Sequence, residues 1–210
     1  MYNVPHFKTS DNDEVIAFMH AHPFVMLCGV AENNTPVVTH VPVLIEKRDD
    51  KIYLLAHAMR KQDHTKAFEA NPNVMAVFYG AHTYVSASWY ENKQTASTWN
   101  YQTVHARGVL RFLDADGLHN ILTRLTATFE QNPDSPSLVH KMDETYVNNM
   151  MKAIVAFEIE VTDIQHVFKL SQNRDEKSYD NIIEQLGSKD ADAKTIAGTM
   201  QERKSKVYPS

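Results

Sequence analysis

Three apolar segments of strand length, Phe24–Ala31, Val37–Ile45 and Ile52–Ala56, are joined by turns of about four residues, Asn33-Asn34-Thr35-Pro36 and Lys47-Arg48-Asp49-Asp50. A parallel pair needs a crossover of roughly a dozen residues or more, so these strands must form an antiparallel meander. Val74–Tyr79 and Thr83–Ser86, on either side of Gly80, read as two further strands. Thr98–Leu113 reads as a long strand bent near Gly108, and Ile154–Val161 with His166–Leu170 as the last strands. Many short antiparallel strands with few helices between them predict a mainly β fold, a closed or half-closed barrel with peripheral helices.

The helices announce themselves by caps and spacing. Ser10-Asp11-Asn12-Asp13-Glu14 opens one whose buried stripe is Val15, Ile16, Phe18 and Met19. Leu118, Ile121, Leu122, Leu125 and Phe129 recur at helical spacing and predict a helix over Asp116–Gln131. Shorter helices are expected around Thr65–Ala70 and Asp143–Met150, and two more in the tail, Asp175–Leu186 and Ala191–Lys204. Residues 1–174 then form the barrel domain with its inserted helices, and 175–210 a helical extension packed on it.

Several chemistries are excluded by what is missing. The six glycines, Gly29, Gly80, Gly108, Gly117, Gly187 and Gly198, form no Gly-x-Gly pair, which removes dinucleotide fingerprints and phosphate loops. Cys28, the single cysteine, lies in an apolar strand where a thiol behaves as a small hydrophobe. The eleven histidines lack zincin or zinc-finger spacing, so no metal site is predicted. A net charge of −5 argues against a globally basic nucleic-acid binder. With no apolar run near the ~20 residues of a membrane helix, no signal-like start and one cysteine, a cytoplasmic protein is expected.

The tract from Thr83 to Arg111 points to a ligand. It holds both tryptophans, Trp89 and Trp99, mixed with Asn100, Gln102, Thr103 and serines. Burying such groups unpaired costs ~1–3 kcal/mol each, so a flat ligand with polar edges is one explanation and a dimer interface the other. His57-Ala58-Met59-Arg60-Lys61-Gln62 leaves a strand and enters a short helix, where cations and free amides can hold a phosphate.

Several landmarks resemble one family: Met1-Tyr2 with Pro5-His6-Phe7, His22-Pro23-Phe24, Thr39-His40-Val41-Pro42, His57-Ala58 with Arg60, Ser88-Trp89-Tyr90, Thr98-Trp99-Asn100-Tyr101 and Lys169-Leu170-Ser171-Gln172-Asn173-Arg174. In that order they resemble the PaiB-type FMN-binding negative transcriptional regulators. The resemblance implies a split β-barrel of the FMN-binding type that forms a homodimer and holds FMN in clefts between subunits. It places His57, Ala58, Arg60, Lys61 and Lys169 at the flavin phosphate. Trp89, Trp99 and Tyr101 then cover the ring, with Asn100, Gln172 and Asn173 at its polar edge. DNA contact follows from the resemblance alone, since Asp175–Lys206 carries seven acidic and six basic residues and shows no recognition helix. An FMN-dependent oxidoreductase acting on a small molecule and a cofactor-free dimeric binding protein stand as the alternatives.

Overall fold

The structure is a computed structural model that describes residues 1–209. Seven strands form one sheet: β1 (Phe24–Val30), β2 (Pro36–Pro42), β3 (Leu44–Arg48), β4 (Lys51–Met59), β5 (Asn73–Val85), β6 (Thr98–Phe112) and β7 (Ile154–Lys169). Their order is β2-β1-β5-β6-β7-β4-β3. Among the described residues the α-helices are α1 (Asn12–Ala21), α2 (Asp63–Ala70), α3 (Ala115–Glu130), α4 (Glu144–Met151), α5 (Glu176–Gly187) and α6 (Ala191–Val207). The fold is mainly β with helices, as the short connections predicted.

β1–β2 and β3–β4 are the expected antiparallel hairpins, with Phe24 opposite Pro42 and Leu44 opposite Leu55. The segment read as one strand from Val37 to Ile45 is instead two, and β2 and β3 stand at opposite edges of the sheet. Pro42 has no N–H to donate to a ladder, and the next amide, Val43, bonds the Pro23 carbonyl. The meander is therefore broken at this point.

Two further expectations need correcting. Gly80 lies inside β5, which runs unbroken for 13 residues, and β7 joins the two segments read as the last strands into one of 16. β6, as expected, is one long strand that includes Gly108. There the glycine serves a close approach: a Cβ would lie 2.3 Å from the Glu160 carbonyl oxygen of β7.

The residues pack as two compact units, and β5, β6 and β7 run through both. One comprises residues 19–78 and 105–164. In it Leu118, Ile121 and Leu125 of α3 bury their stripe with Leu55 of β4 and Ala156 of β7. Asp114 caps α3 by accepting from the Gly117 amide, so the helix starts where its apolar spacing begins. The other unit comprises 1–18, 79–104 and 165–210. Tyr179, Ile182 and Leu186 of α5 and Ile196 and Met200 of α6 share a core with Val85, Tyr90 and Leu170. The Tyr179 hydroxyl, fully buried, donates to the Met200 carbonyl, which locks the two helices together.

Candidate functional site

The sequence-derived site residues fall into three groups, each within one unit. The first is the turn between β4 and α2. His57 and Ala58 lie near the end of β4, opposite Ala156 and Val155 of β7. Ala58 is buried, so it offers a ligand only its backbone. Burial holds the His57 imidazole below its usual pKa, and its Nδ1 is buried without a hydrogen-bond partner among the described residues. Arg60 and Lys61 follow as exposed cations. The Arg60 guanidinium donates to the Ile154 carbonyl at 2.8 Å, which fixes its stem beside β7. Gln62, the N-cap of α2, makes no side-chain cap; the Asp63 carboxylate accepts from the His64 amide at 2.8 Å, and the other first-turn amides remain for a ligand or water.

The second group is a row of rings on β5 and β6. Trp99 is 52% exposed, with the His82 ring centroid 5.9 Å away and that of Tyr84 6.1 Å. Tyr79 stands 5.1 Å from His82. Tyr101, two residues along β6 from Trp99, is half-buried, and burial raises its phenol pKa. Trp89 is set apart from this row: it packs on the α5–α6 core, and the Lys189 ammonium lies 4.7 Å over its ring.

The third group is the turn closing β7. The Lys169 amine donates to the Thr98 hydroxyl and, at 2.8 Å, to the Trp99 carbonyl. Asn100 is fully buried: its carbonyl oxygen accepts from the Ser171 hydroxyl at 3.0 Å and its amide donates to the Met200 sulfur. Gln172 turns its side chain onto its own strand end, accepting from the Leu170 amide and donating to the Phe168 carbonyl. Asn100 and Gln172 thus have their amides engaged inside the protein, where they shape the turn. Asn173, by contrast, is exposed.

Three separate cavities receive these residues. Arg60 lines one of about 530 Å³ with Lys152, Leu118 and Met151. Trp99 lines another with His82, Tyr84 and Asp192. Lys169 and Asn173 line a third with Arg174. Among the described residues, no cluster of three or more His, Cys, Asp or Glu could hold a metal ion. No helix is long and apolar enough to cross a membrane, again among the described residues.

Residues 1–163 match the model of the family described as "Putative FMN-binding domain". The chain belongs to that family. A curated relative, protease synthase and sporulation protein PAI 2 of Bacillus subtilis (strain 168), is 36% identical over 204 residues, covering 97% of this chain and 98% of the relative. The PaiB-type resemblance of the motifs is therefore borne out along nearly the whole chain. Among solved structures, the FAD and heme binding protein of Mycobacterium smegmatis superposes with a TM-score of 0.56 at 12% identity, over 77% of this chain and 72% of that one. A conserved hypothetical protein of Mycobacterium tuberculosis gives 0.53 at 14%, over 80% and 90%. At such identity the likeness concerns fold alone, and the fold is the split β-barrel that the motifs implied.

Proposed function

We propose that this member of the FMN-binding-domain family binds FMN, as a homodimer in the cytoplasm, and that it acts in regulation. Family membership over residues 1–163 is the observation that carries the reading. The β4–α2 turn fits the flavin phosphate. It combines the guanidinium of Arg60, the amine of Lys61, the start of α2 beyond the N-cap Gln62 and the His57 Nδ1, buried without a hydrogen-bond partner among the described residues. Charge-assisted bonds from such donors are about twice as strong as neutral ones, and a helix N-terminus adds positive potential. Within its own unit, the exposed face of Trp99, with Tyr101 beside it on β6, is an apolar surface of the kind a flat ring such as isoalloxazine needs. Bound FMN supplies one- and two-electron redox chemistry, while these residues hold and orient it.

The exposed rings of Tyr79, Tyr84 and Trp99 also suit a subunit interface, because interface cores are enriched in aromatic side chains. A regulatory role accords with the name of the Bacillus relative, which joins protease synthesis and sporulation. Direct DNA contact finds little support at the basic end of α6. There Arg203 pairs with Glu14, and Lys204 with Glu176 and Asp180. Regulation through a bound small molecule fits the charge distribution better.

The test is an absorbance spectrum and FMN titration of the purified protein, repeated for Arg60→Ala and Trp99→Ala. Arg60→Ala should weaken FMN binding by about tenfold or more, the worth of one or two charge-assisted bonds. Equal affinity in wild type and both variants would refute this placement.

A further inference from the structure

A pocket of about 360 Å³ opens beneath the first residues of the chain, lined among others by Tyr2, Phe7, Thr98, Lys169, Ser171 and Arg174. Its walls are firmly built. Phe7 is 3% exposed and anchors the N-terminal segment. The Thr9 amide donates to the His166 imidazole at 2.9 Å, and the Lys8 amine to the His166 carbonyl at 2.6 Å. Beneath, Ser171 adopts a left-handed backbone (φ 62°), which a non-glycine residue tolerates only when its surroundings enforce it. The enforcing contact is its hydroxyl bond to buried Asn100. The Tyr208 hydroxyl, donating to the Arg174 carbonyl at 2.6 Å, ties down the far end of the same turn.

This frame presents positive charge without a counterion among the described residues. Lys169, Arg174 and His6 line the pocket, and among the described residues no carboxylate does. The neutral partners of Lys169 are the Thr98 hydroxyl and the Trp99 carbonyl; burial, then the charge of Arg174, holds its amine below the usual lysine range. Arg174 stacks its guanidinium 4.2 Å over the Tyr90 ring, and its Nε is buried without a hydrogen-bond partner among the described residues. The acidic side chains of this unit nearby in sequence are engaged elsewhere. Asp175 accepts from both the amide and the hydroxyl of Ser178, Glu91 pairs with Lys177, and Glu176 and Asp180 pair with Lys204. Two half-buried cations that repel each other are stabilised when an anion enters between them. Tyr2, Val4 and Phe7 give the pocket an apolar side as well.

We propose that this pocket is a second ligand site, separate from the flavin, which binds a small organic anion: a carboxylate or phosphate carried on an apolar body. Lys169 and Arg174 supply the charge, and Ser171 and Asn173 frame the headgroup. The site stands whether or not FMN is bound, and its occupant would be the molecule whose level the protein senses or transforms.

The experiment is calorimetric titration of the full chain with phenyl phosphate and with inorganic phosphate, at constant ionic strength in sodium chloride. Wild type and Arg60→Ala should bind phenyl phosphate saturably and more tightly than inorganic phosphate. Arg174→Gln should weaken phenyl phosphate by about tenfold while keeping FMN affinity within about twofold. Should Arg174→Gln fail to fold, Tyr2→Ala, which removes a half-exposed ring from the pocket's apolar side, takes its place: it should weaken phenyl phosphate severalfold and leave FMN affinity within about twofold. Absence of saturable binding, or binding unchanged in the variant, would overturn the site. If instead the variant loses FMN, and FMN displaces phenyl phosphate, the pocket belongs to the flavin and the claim of a second site fails.

Discussion

Asn100 shows how one residue can be read correctly as important and wrongly placed. Its position among large rings suggests a ligand edge, yet it is fully buried and bonded to Ser171 and Met200. Those partners lie 71 and 100 residues away, so no local pattern announces them. Replacing it by leucine strands the Ser171 hydroxyl in the interior and should cost about 1–3 kcal/mol in urea denaturation. Unchanged stability would show that the amide is not needed there. Arg174 is the opposite case. It sits in the Lys169–Arg174 motif quoted from the sequence, but its place in a pocket that no carboxylate lines among the described residues becomes visible only once the strand end and the first residues are in place.

At the scale of elements, hydrophobic spacing and caps located the helices well. Asp114, Asp143, Asp175 and Asp190 each accept a backbone amide at the start of a helix, as their positions before apolar runs imply. Strand continuity was less legible. Gly80 looks like punctuation in a one-dimensional pattern, whereas pairing with neighbouring strands keeps it extended within β5. Gly108 yields a sharp expectation. Gly108→Ala drives a methyl into the Glu160 carbonyl and the Ile159 side chain, and backbone cannot yield as a flexible side chain does. The loss should be about 2–4 kcal/mol in chemical denaturation. Alanine tolerated at no cost would mean that β6 and β7 lie further apart.

At the scale of the whole molecule, buried and paired carboxylates and histidines make stability decline as pH falls below neutral. Glu158, buried on β7, would be pushed up by desolvation, but bonds from Arg48 and Arg111 outweigh this and hold its carboxyl below the usual range. Glu46, bonded by Arg48 and Arg124, is held low too. His57, His105 and His166 are each lowered by burial. A depressed folded-state pKa means that the unfolded chain takes up protons first, so each group stabilises the fold above its unfolded pKa and loses that contribution as pH falls. Stability should therefore decline in two stages, near pH 6 from the histidines and near pH 4 from the carboxylates. Glu158→Gln should flatten the lower stage in urea melts at a series of pH values. An unchanged slope there would remove Glu158 from the account.

Fold class and family were legible because turn lengths and ordered motifs are local properties of the chain. The grouping of the site residues was not, because it depends on which strand ends and turns meet. The most direct test of the central claim compares FMN with riboflavin, which lacks the phosphate, in equilibrium titrations of the wild-type protein. If the β4–α2 turn holds the phosphate, FMN binds more tightly by about tenfold or more and the preference collapses in Arg60→Ala. Equal affinity for the two flavins, or no affinity for either, would contradict it.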